Sequence, residues 1–311
     1  MAHRVSLREM LAVGPRATWR YTGTLLSVFV VQAIITLACI VAITMILTAE
    51  FGSLPLWDEA VDGDVVALLW CLKHGEASFV AIGGVVLGAL VVWQIATWFL
   101  IGGVYGVLVQ RPDGRSETAR CFGASGAATY LAYARLALCS IPGFMFAMSV
   151  MGYCIKQVGG LDQISQALSF SQLAGTLLLM FAPALLVLHI VWTISDYARV
   201  EYTLRGESHE PSVVMTYLRS VAYVLKHPLT LAHSGIGWLG FLIVTLIYMF
   251  IAQGHPMYGP EGAVALFVIR QGVALARTAI RFGVLAGQIE LGKTRPLPPM
   301  RVKVVDAKKI A

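Results

Sequence analysis

Five long stretches of this chain contain no charged residue. They cover residues 21–49, 77–110, 136–155, 163–195 and 227–260. Each has the ~20 residues that an α-helix needs to cross ~30 Å of hydrocarbon at ~1.5 Å per residue. A membrane β-barrel would instead show short segments that alternate apolar and polar residues. The sequence therefore predicts an all-α integral membrane protein.

A sixth stretch, residues 262–289, is also strongly apolar but carries three arginines. Counting it as a span predicts one transmembrane domain over residues 1–311, built as a bundle of six transmembrane helices. Only 13% of the residues are charged, against ~25% in a soluble domain, which agrees with this class. The expected spans are approximately 22–48, 78–109, 132–155, 168–198, 229–253 and 262–289, and a basic cytoplasmic tail follows at 290–311.

The net charge of +6 becomes informative once the basic residues are assigned to the two sides of the membrane. With six spans, 18 of the 23 lysines and arginines fall on the side of both termini, and only Lys73 and Lys156 fall on the other. Cytoplasmic loops are enriched in lysine and arginine, so both termini are predicted to be cytoplasmic. The basic balance thus indicates topology and not a nucleic-acid partner. The single large external loop suits a bacterial inner (cytoplasmic) membrane.

The chain can be divided into three consecutive units, each with a basic lead-in segment followed by two spans. The lead-in segments are residues 6–21, 116–135 and 211–227, and each mixes apolar and basic residues at roughly helical spacing. Such amphipathic segments are typical of helices that lie in the headgroup region. We therefore expect three helix-hairpin units, each preceded by an interfacial helix. A plain cytoplasmic loop is the alternative for each lead-in.

Arg270, Arg277 and Arg281 are the candidate functional residues. Offsets of seven and eleven residues return to within ~20° on a helix, so the three share one face, and Gln288 extends the same stripe. One interpretation is a site for an anionic group, such as a lipid phosphate or a carboxylate. The favoured alternative is an interhelical clamp, since guanidinium groups also bond well to carbonyls and acids of neighbouring helices. Arg270, deepest in the span, most needs a partner.

Acidic partners are available where the fourth span ends. Asp196 and Arg199 form an i,i+3 pair, and Glu201 and Arg205 form an i,i+4 pair, so this helix can continue with its charges matched. Solvated pairs at a helix end are the simpler interpretation, and the sharper one has Asp196 meeting Arg277 or Arg281. The run from Asp196 to Arg205 resembles an Asp-Tyr-Ala-Arg signature in some uncharacterised bacterial polytopic membrane proteins. That resemblance implies no activity.

Three glycine pairs have the small-xxx-small spacing that lets membrane helices approach closely: Gly84 with Gly88, Gly102 with Gly106, and Gly283 with Gly287. They predict helix packing, self-association or contact with other membrane subunits. The cysteines and histidines match no metal-binding motif, and there is no phosphate-binding loop, so no cofactor is expected.

We therefore expect a non-enzymatic membrane protein that works in transport or envelope assembly and handles an anionic or lipid-like ligand among membrane lipids. The alternative is a structural or scaffolding subunit of a larger membrane complex.

Overall fold

All secondary structure in the described part of the chain is helical. The computed structural model describes residues 6–54, 57, 59, 70–71, 75–159, 170–205, 212–254 and 260–295. Their eight helices are α1 (Leu7–Arg20), α2 (Thr22–Phe51), α3 (Glu76–Gln110), α4 (Arg115–Gln157), α5 (Phe170–Arg205), α6 (Val213–Lys226), α7 (Pro228–Gly254) and α8 (Pro260–Thr294). The predicted all-α class is confirmed. Most of the predicted tail, residues 296–311, lies outside the described residues.

Five of these helices, α2, α3, α4, α5 and α7, are long and apolar enough to cross a membrane. The chain is therefore a helical membrane protein, because no water-soluble fold would leave so many long apolar helices with so little of their surface buried. The sixth predicted span falls within α8, which forms a continuous 35-residue helix that includes all three arginines. Five of the six predicted spans thus correspond to candidate membrane-spanning helices, and the sixth remains a prediction.

The predicted lead-in helices form in two of the three places. The first and third are separate amphipathic helices, α1 and α6. Ser6 and Glu9 cap α1 reciprocally, each backbone N–H bonding the other side chain, and Pro228 opens α7 directly after α6.

The structure differs at the second lead-in. Residues 116–135 belong to the 43-residue helix α4 and continue into its apolar part without a break. Pro142 is the first proline within α4, so no proline ends the helix where the charged residues stop.

The described residues form two compact units. One contains Met1–Arg16, Arg135–Leu239 and Gly283–Ala311, and the other contains Ala17–Ala134 and Gly240–Phe282. We refer to them as unit 1 and unit 2.

In unit 2, α2 packs against α3, and α3 packs closely against the first part of α4. Glycines permit the close approach of α3 to α4. A Cβ at Gly102 would lie 3.2 Å from the Cα of Gly126, and one at Gly106 would lie 2.2 Å from the Cβ of Ser125. This glycine pair therefore packs against α4 of the same chain, as expected for small-xxx-small spacing.

In unit 1, α5 packs against α6, and a buried cluster joins them to residues of α1 and α8. Its buried members are Met10, Ile194, Tyr197, Tyr223, Val224 and Leu291. The backbones of α1 and α8 touch at Gly14 and Gly283, where a Cβ on Gly14 would lie 3.1 Å from the Cα of Gly283. A Cβ on Gly287 would lie 3.0 Å from the carbonyl oxygen of Met10, so this second glycine pair is also occupied within the chain.

The third pair, Gly84 and Gly88 on α3, differs from the other two. A Cβ at either position would meet no atom within 4 Å, and both residues are exposed. Any packing partner for this face therefore has to come from outside the described residues.

The contrast between these glycines predicts the stability of valine variants. We expect Gly106→Val to lower the free energy of unfolding by about 1–3 kcal/mol, because the new side chain overlaps Ser125. Gly84→Val is the matched control on the same helix and should change stability little. Thermal unfolding of the purified protein in mild detergent measures both. Equal losses for the two variants would contradict the α3–α4 packing described above.

Candidate functional site

The predicted arginine stripe lies on α8 within unit 2. Arg270 and Arg277 are exposed, whereas Arg281 is half-buried. The residues immediately before Arg270, from Val264 to Ile269, are all apolar. Arg270, the first residue of the stripe, is therefore a charged side chain directly after an apolar stretch of helix.

Contacts with α2 set the depth of these arginines. Thr278 Oγ1 donates to Gln32 Oε1 at 3.5 Å, while Phe267 and Gln271 lie opposite residues 30–40 of α2. The two helices therefore run in opposite directions, and Arg270 lies level with Ile40. Since α2 covers Thr22–Phe51, both Arg270 and Arg277 lie within about 6 Å of its middle at ~1.5 Å per residue.

Arg277 has a partner on the neighbouring helix α7. Its guanidinium donates a hydrogen bond to Thr245 Oγ1, and that hydroxyl donates in turn to the carbonyl oxygen of Phe241. Arg277 thus connects α7 and α8 in the way expected of an interhelical clamp. The bond leaves its positive charge without a carboxylate, because the acceptor is neutral.

Arg270 forms no hydrogen bond or ion pair with any residue in the described part of the chain. In the same part of the chain, no carboxylate pairs with Arg277 either. The clamp interpretation therefore fits Arg277 and leaves Arg270 without a structural role within these residues.

A groove runs between α2 and α8 beside Arg270. Its volume is about 180 Å³, and its lining is almost entirely apolar. The lining residues are Val30, Ala33, Ile34, Thr36, Leu37, Ile40, Phe267 and Gln271. An apolar groove next to an unpaired cation has the two features that an amphiphilic anion requires.

Gln288, the last member of the predicted stripe, has a different environment in unit 1. It is fully buried, and its Nε2 donates to Oδ2 of Asp196 at 3.4 Å. Asp196 is also fully buried, and its Oδ1 accepts from Arg199 at 3.5 Å. The predicted acidic residue and the predicted glutamine are thus brought together, and they link α5 to α8.

Glu201 and Arg205 form the second predicted ion pair, with Oε1 and Nε 2.5 Å apart. Glu201 is buried, so this pair is not the solvated helix-end pair of the simpler interpretation.

On α6, which packs against α5, burial raises the pKa of Tyr223 to about 12. The centroid of its ring lies 5.4 Å from that of Tyr197. Tyr223 is therefore a neutral phenol at physiological pH.

Several residues of these contacts carry no charge, so the pattern of charges in the sequence does not identify them. Gln32 and Thr245 lie in charge-free stretches, and so does the buried His233, which packs against Gly287. Their one sequence signal is a polar side chain within an apolar span. Among the described residues, no group of three histidine, cysteine or acidic side chains is placed to hold a metal ion.

No family model, curated protein or solved structure matches this chain.

The two exposed arginines are expected to respond differently to truncation. Arg277→Ala should lower the free energy of unfolding by about 1–2 kcal/mol, because it removes a hydrogen bond to a charged donor between α7 and α8. Thr245→Val should have a similar effect, and the double variant should lose less than the sum of the two. Arg270→Ala should leave stability unchanged or raise it. Denaturation in detergent measures all four, and a loss for Arg270→Ala equal to that of Arg277→Ala would show that Arg270 is also a clamp.

Proposed function

We propose that this protein is a non-enzymatic polytopic protein of a bacterial inner membrane that handles an anionic or lipid-like ligand through Arg270, as a component of transport or envelope assembly. The observation that carries the proposal is the position of Arg270. It lies on α8 at the level of the middle of α2, next to an apolar groove, and has no partner among the described residues.

The charge of Arg270 carries an energetic cost at this depth. An arginine at the centre of a membrane-spanning helix costs about 2.5–3.5 kcal/mol on insertion scales. A protein carboxylate or a bound anion offsets that cost, and the described residues supply no such carboxylate to Arg270. An anionic group from outside the described residues is the partner that we propose, and the phosphates of membrane lipids are an abundant source of such groups.

The proposal includes six spans with both termini in the cytoplasm. The length of α8, about 52 Å for 35 residues, supports its crossing the membrane in spite of the arginines. The strong excess of lysine and arginine on the side of the termini supports the orientation.

The amphipathic helices α1 and α6 are proposed to lie at the cytoplasmic membrane surface. On α6, the polar residues Thr216 and Ser220 are buried, whereas apolar residues face outward. Those outward residues are Val214, Met215, Leu218 and Leu225. Trp19 near the end of α1 is 86% exposed, and tryptophan is enriched at membrane interfaces. An apolar outer face beside Lys226 and Arg219 suits contact with acyl chains below anionic headgroups.

Removal of the Arg270 charge tests the proposal. The full chain is purified from nanodiscs containing phosphatidylcholine and phosphatidylglycerol, and native mass spectrometry counts the retained lipids. Wild-type protein should retain phosphatidylglycerol preferentially, and Arg270→Gln should reduce this preference by about tenfold or more, equivalent to ~1.4 kcal/mol of binding free energy. Arg120→Gln, which removes an exposed arginine of α4, is the matched control. Unchanged preference in Arg270→Gln would refute the role of this residue.

A second candidate function, a structural subunit of a membrane complex, is favoured by the open glycine face of α3. The glycine pairs at Gly102 and Gly283 are filled within the chain, whereas Gly84 and Gly88 have no neighbour within 4 Å. A backbone free to approach another helix is typical of membrane association surfaces.

Valine substitution on this face distinguishes the two candidates. If α3 binds another subunit or a second copy, Gly84→Val should reduce the mass of the complex purified in mild detergent to that of one chain. Gly83→Val is the control, because it adds the same bulk at an equally open position about 100° around the helix. A wild-type protein that already purifies as a single chain argues against the subunit role.

A further inference from the structure

The groove between α2 and α8 has dimensions that match part of a lipid. Its lining on α2 extends from Val30 to Ile40, which are about 15 Å apart along the helix. That is half of the ~30 Å hydrocarbon thickness of a bilayer. The groove runs alongside the middle of α2, because Val30 lies about 10 Å and Ile40 about 5 Å from the centre of that helix, on opposite sides. The lining offers apolar side chains along this whole length, with Thr36 and Gln271 as its polar members.

Arg270 lies at one end of the groove and on its edge. It is level with Ile40, and it falls in sequence between the two α8 residues of the lining, Phe267 and Gln271. Successive residues of an α-helix are ~100° apart around its axis. The side chain of Arg270 therefore leaves α8 about 80° away from the direction midway between Phe267 and Gln271. An exposed arginine on a flexible stem can place its guanidinium over the mouth of the groove from that position.

We propose that the groove binds one acyl chain of an anionic phospholipid, with the lipid phosphate paired to Arg270. This inference rests on the proposed function and adds the ligand class and its orientation. The phosphate lies at the Ile40 end of the groove, and the methyl end of the chain lies near Val30. Arg277 lies level with Ala33, toward the other end of the groove, but its guanidinium donates to Thr245 Oγ1. The guanidinium of Arg270, which has no partner among the described residues, is the feature that selects an anionic amphiphile in this direction over an apolar side chain of another protein.

The orientation gives the proposal its experimental test. Full-length protein is reconstituted in phosphatidylcholine vesicles that contain phosphatidylglycerol with a photoreactive diazirine in one acyl chain, either next to the carbonyl or at the chain end. After irradiation, peptide mass spectrometry locates the adducts. Carbonyl-end probes should label around Ile40 and Phe267, and chain-end probes should label around Val30 and Ala33. Adducts spread evenly over the exposed faces of α2 and α3, or the same labels from both probes, would overturn the proposal.

A second experiment tests whether a large side chain placed in the groove blocks lipid binding. Ala33→Trp should reduce groove adducts by about tenfold or more, equivalent to ~1.4 kcal/mol of binding. Ala38→Trp adds the same bulk to an exposed position of α2 outside the lining and should leave labelling unchanged. If Ala33→Trp does not fold, Ile40→Trp, at a lining residue that is 38% exposed, takes its place.

The outcomes separate this inference from the proposed function. If Arg270→Gln reduces phosphatidylglycerol retention but Ala33→Trp does not reduce labelling, the anion site stands and the acyl-chain groove is wrong. If inorganic phosphate competes with the lipid probe at millimolar concentration, the site recognises the anion alone, which also overturns the acyl-chain assignment. If Arg270→Gln changes neither retention nor labelling, the proposed function itself is wrong.

Discussion

Polar groups in an apolar environment must find partners, and this constraint organises the protein. Backbone groups meet it by forming long helices, such as the 43 residues of α4. Side chains meet it locally where they can. Thr245 bonds the carbonyl oxygen of Phe241 one turn earlier, and Ser195 bonds that of Val191. Polar side chains that connect helices, such as Arg277 and Gln288, bond to side chains of neighbouring helices instead.

The buried pair of Asp196 and Gln288 illustrates the structural solution. A buried carboxylate without partners is strongly destabilising, and here both of its oxygens are engaged, one by Arg199 on its own helix and one by the amide of Gln288. A glycine lies close to this pair on α8: a Cβ at Gly292 would lie 2.8 Å from Cγ1 of Val200, on the helix that carries Asp196. In unit 1, a small residue and a polar contact therefore both lie where α8 meets α5.

Much of this arrangement follows from the sequence, and the exceptions have physical causes. Charge-free length predicted α2, α3, α5 and α7 to within a few residues at most ends, because hydrocarbon thickness dictates the length of an apolar helix. Length cannot show where a helix begins when no breaker precedes it, so the continuity of α4 through residues 116–135 was missed.

The candidate site was predicted in part. Helical spacing correctly predicts that Gln288 shares a face of α8 with the arginines. Spacing along one helix cannot show which neighbouring helix each residue contacts. Gln288 bonds Asp196, whereas Arg277 bonds Thr245. A threonine in an apolar span gives no charge signal, so its role became visible only through the contact.

The two halves of α8 have different surroundings, and this difference supports the proposed ligand role of Arg270. From Phe282 to Leu291, nearly every residue is buried, and glycines at 283 and 287 serve close packing. From Val264 to Arg270, most residues are exposed, and an apolar groove opens beside them. A bundle that needed this outer half only for stability would be better served by leucine than by arginine, because the charge carries a cost and no described residue offsets it. The proposed ligand would offset this cost with its anionic group and fill the apolar groove with its chain.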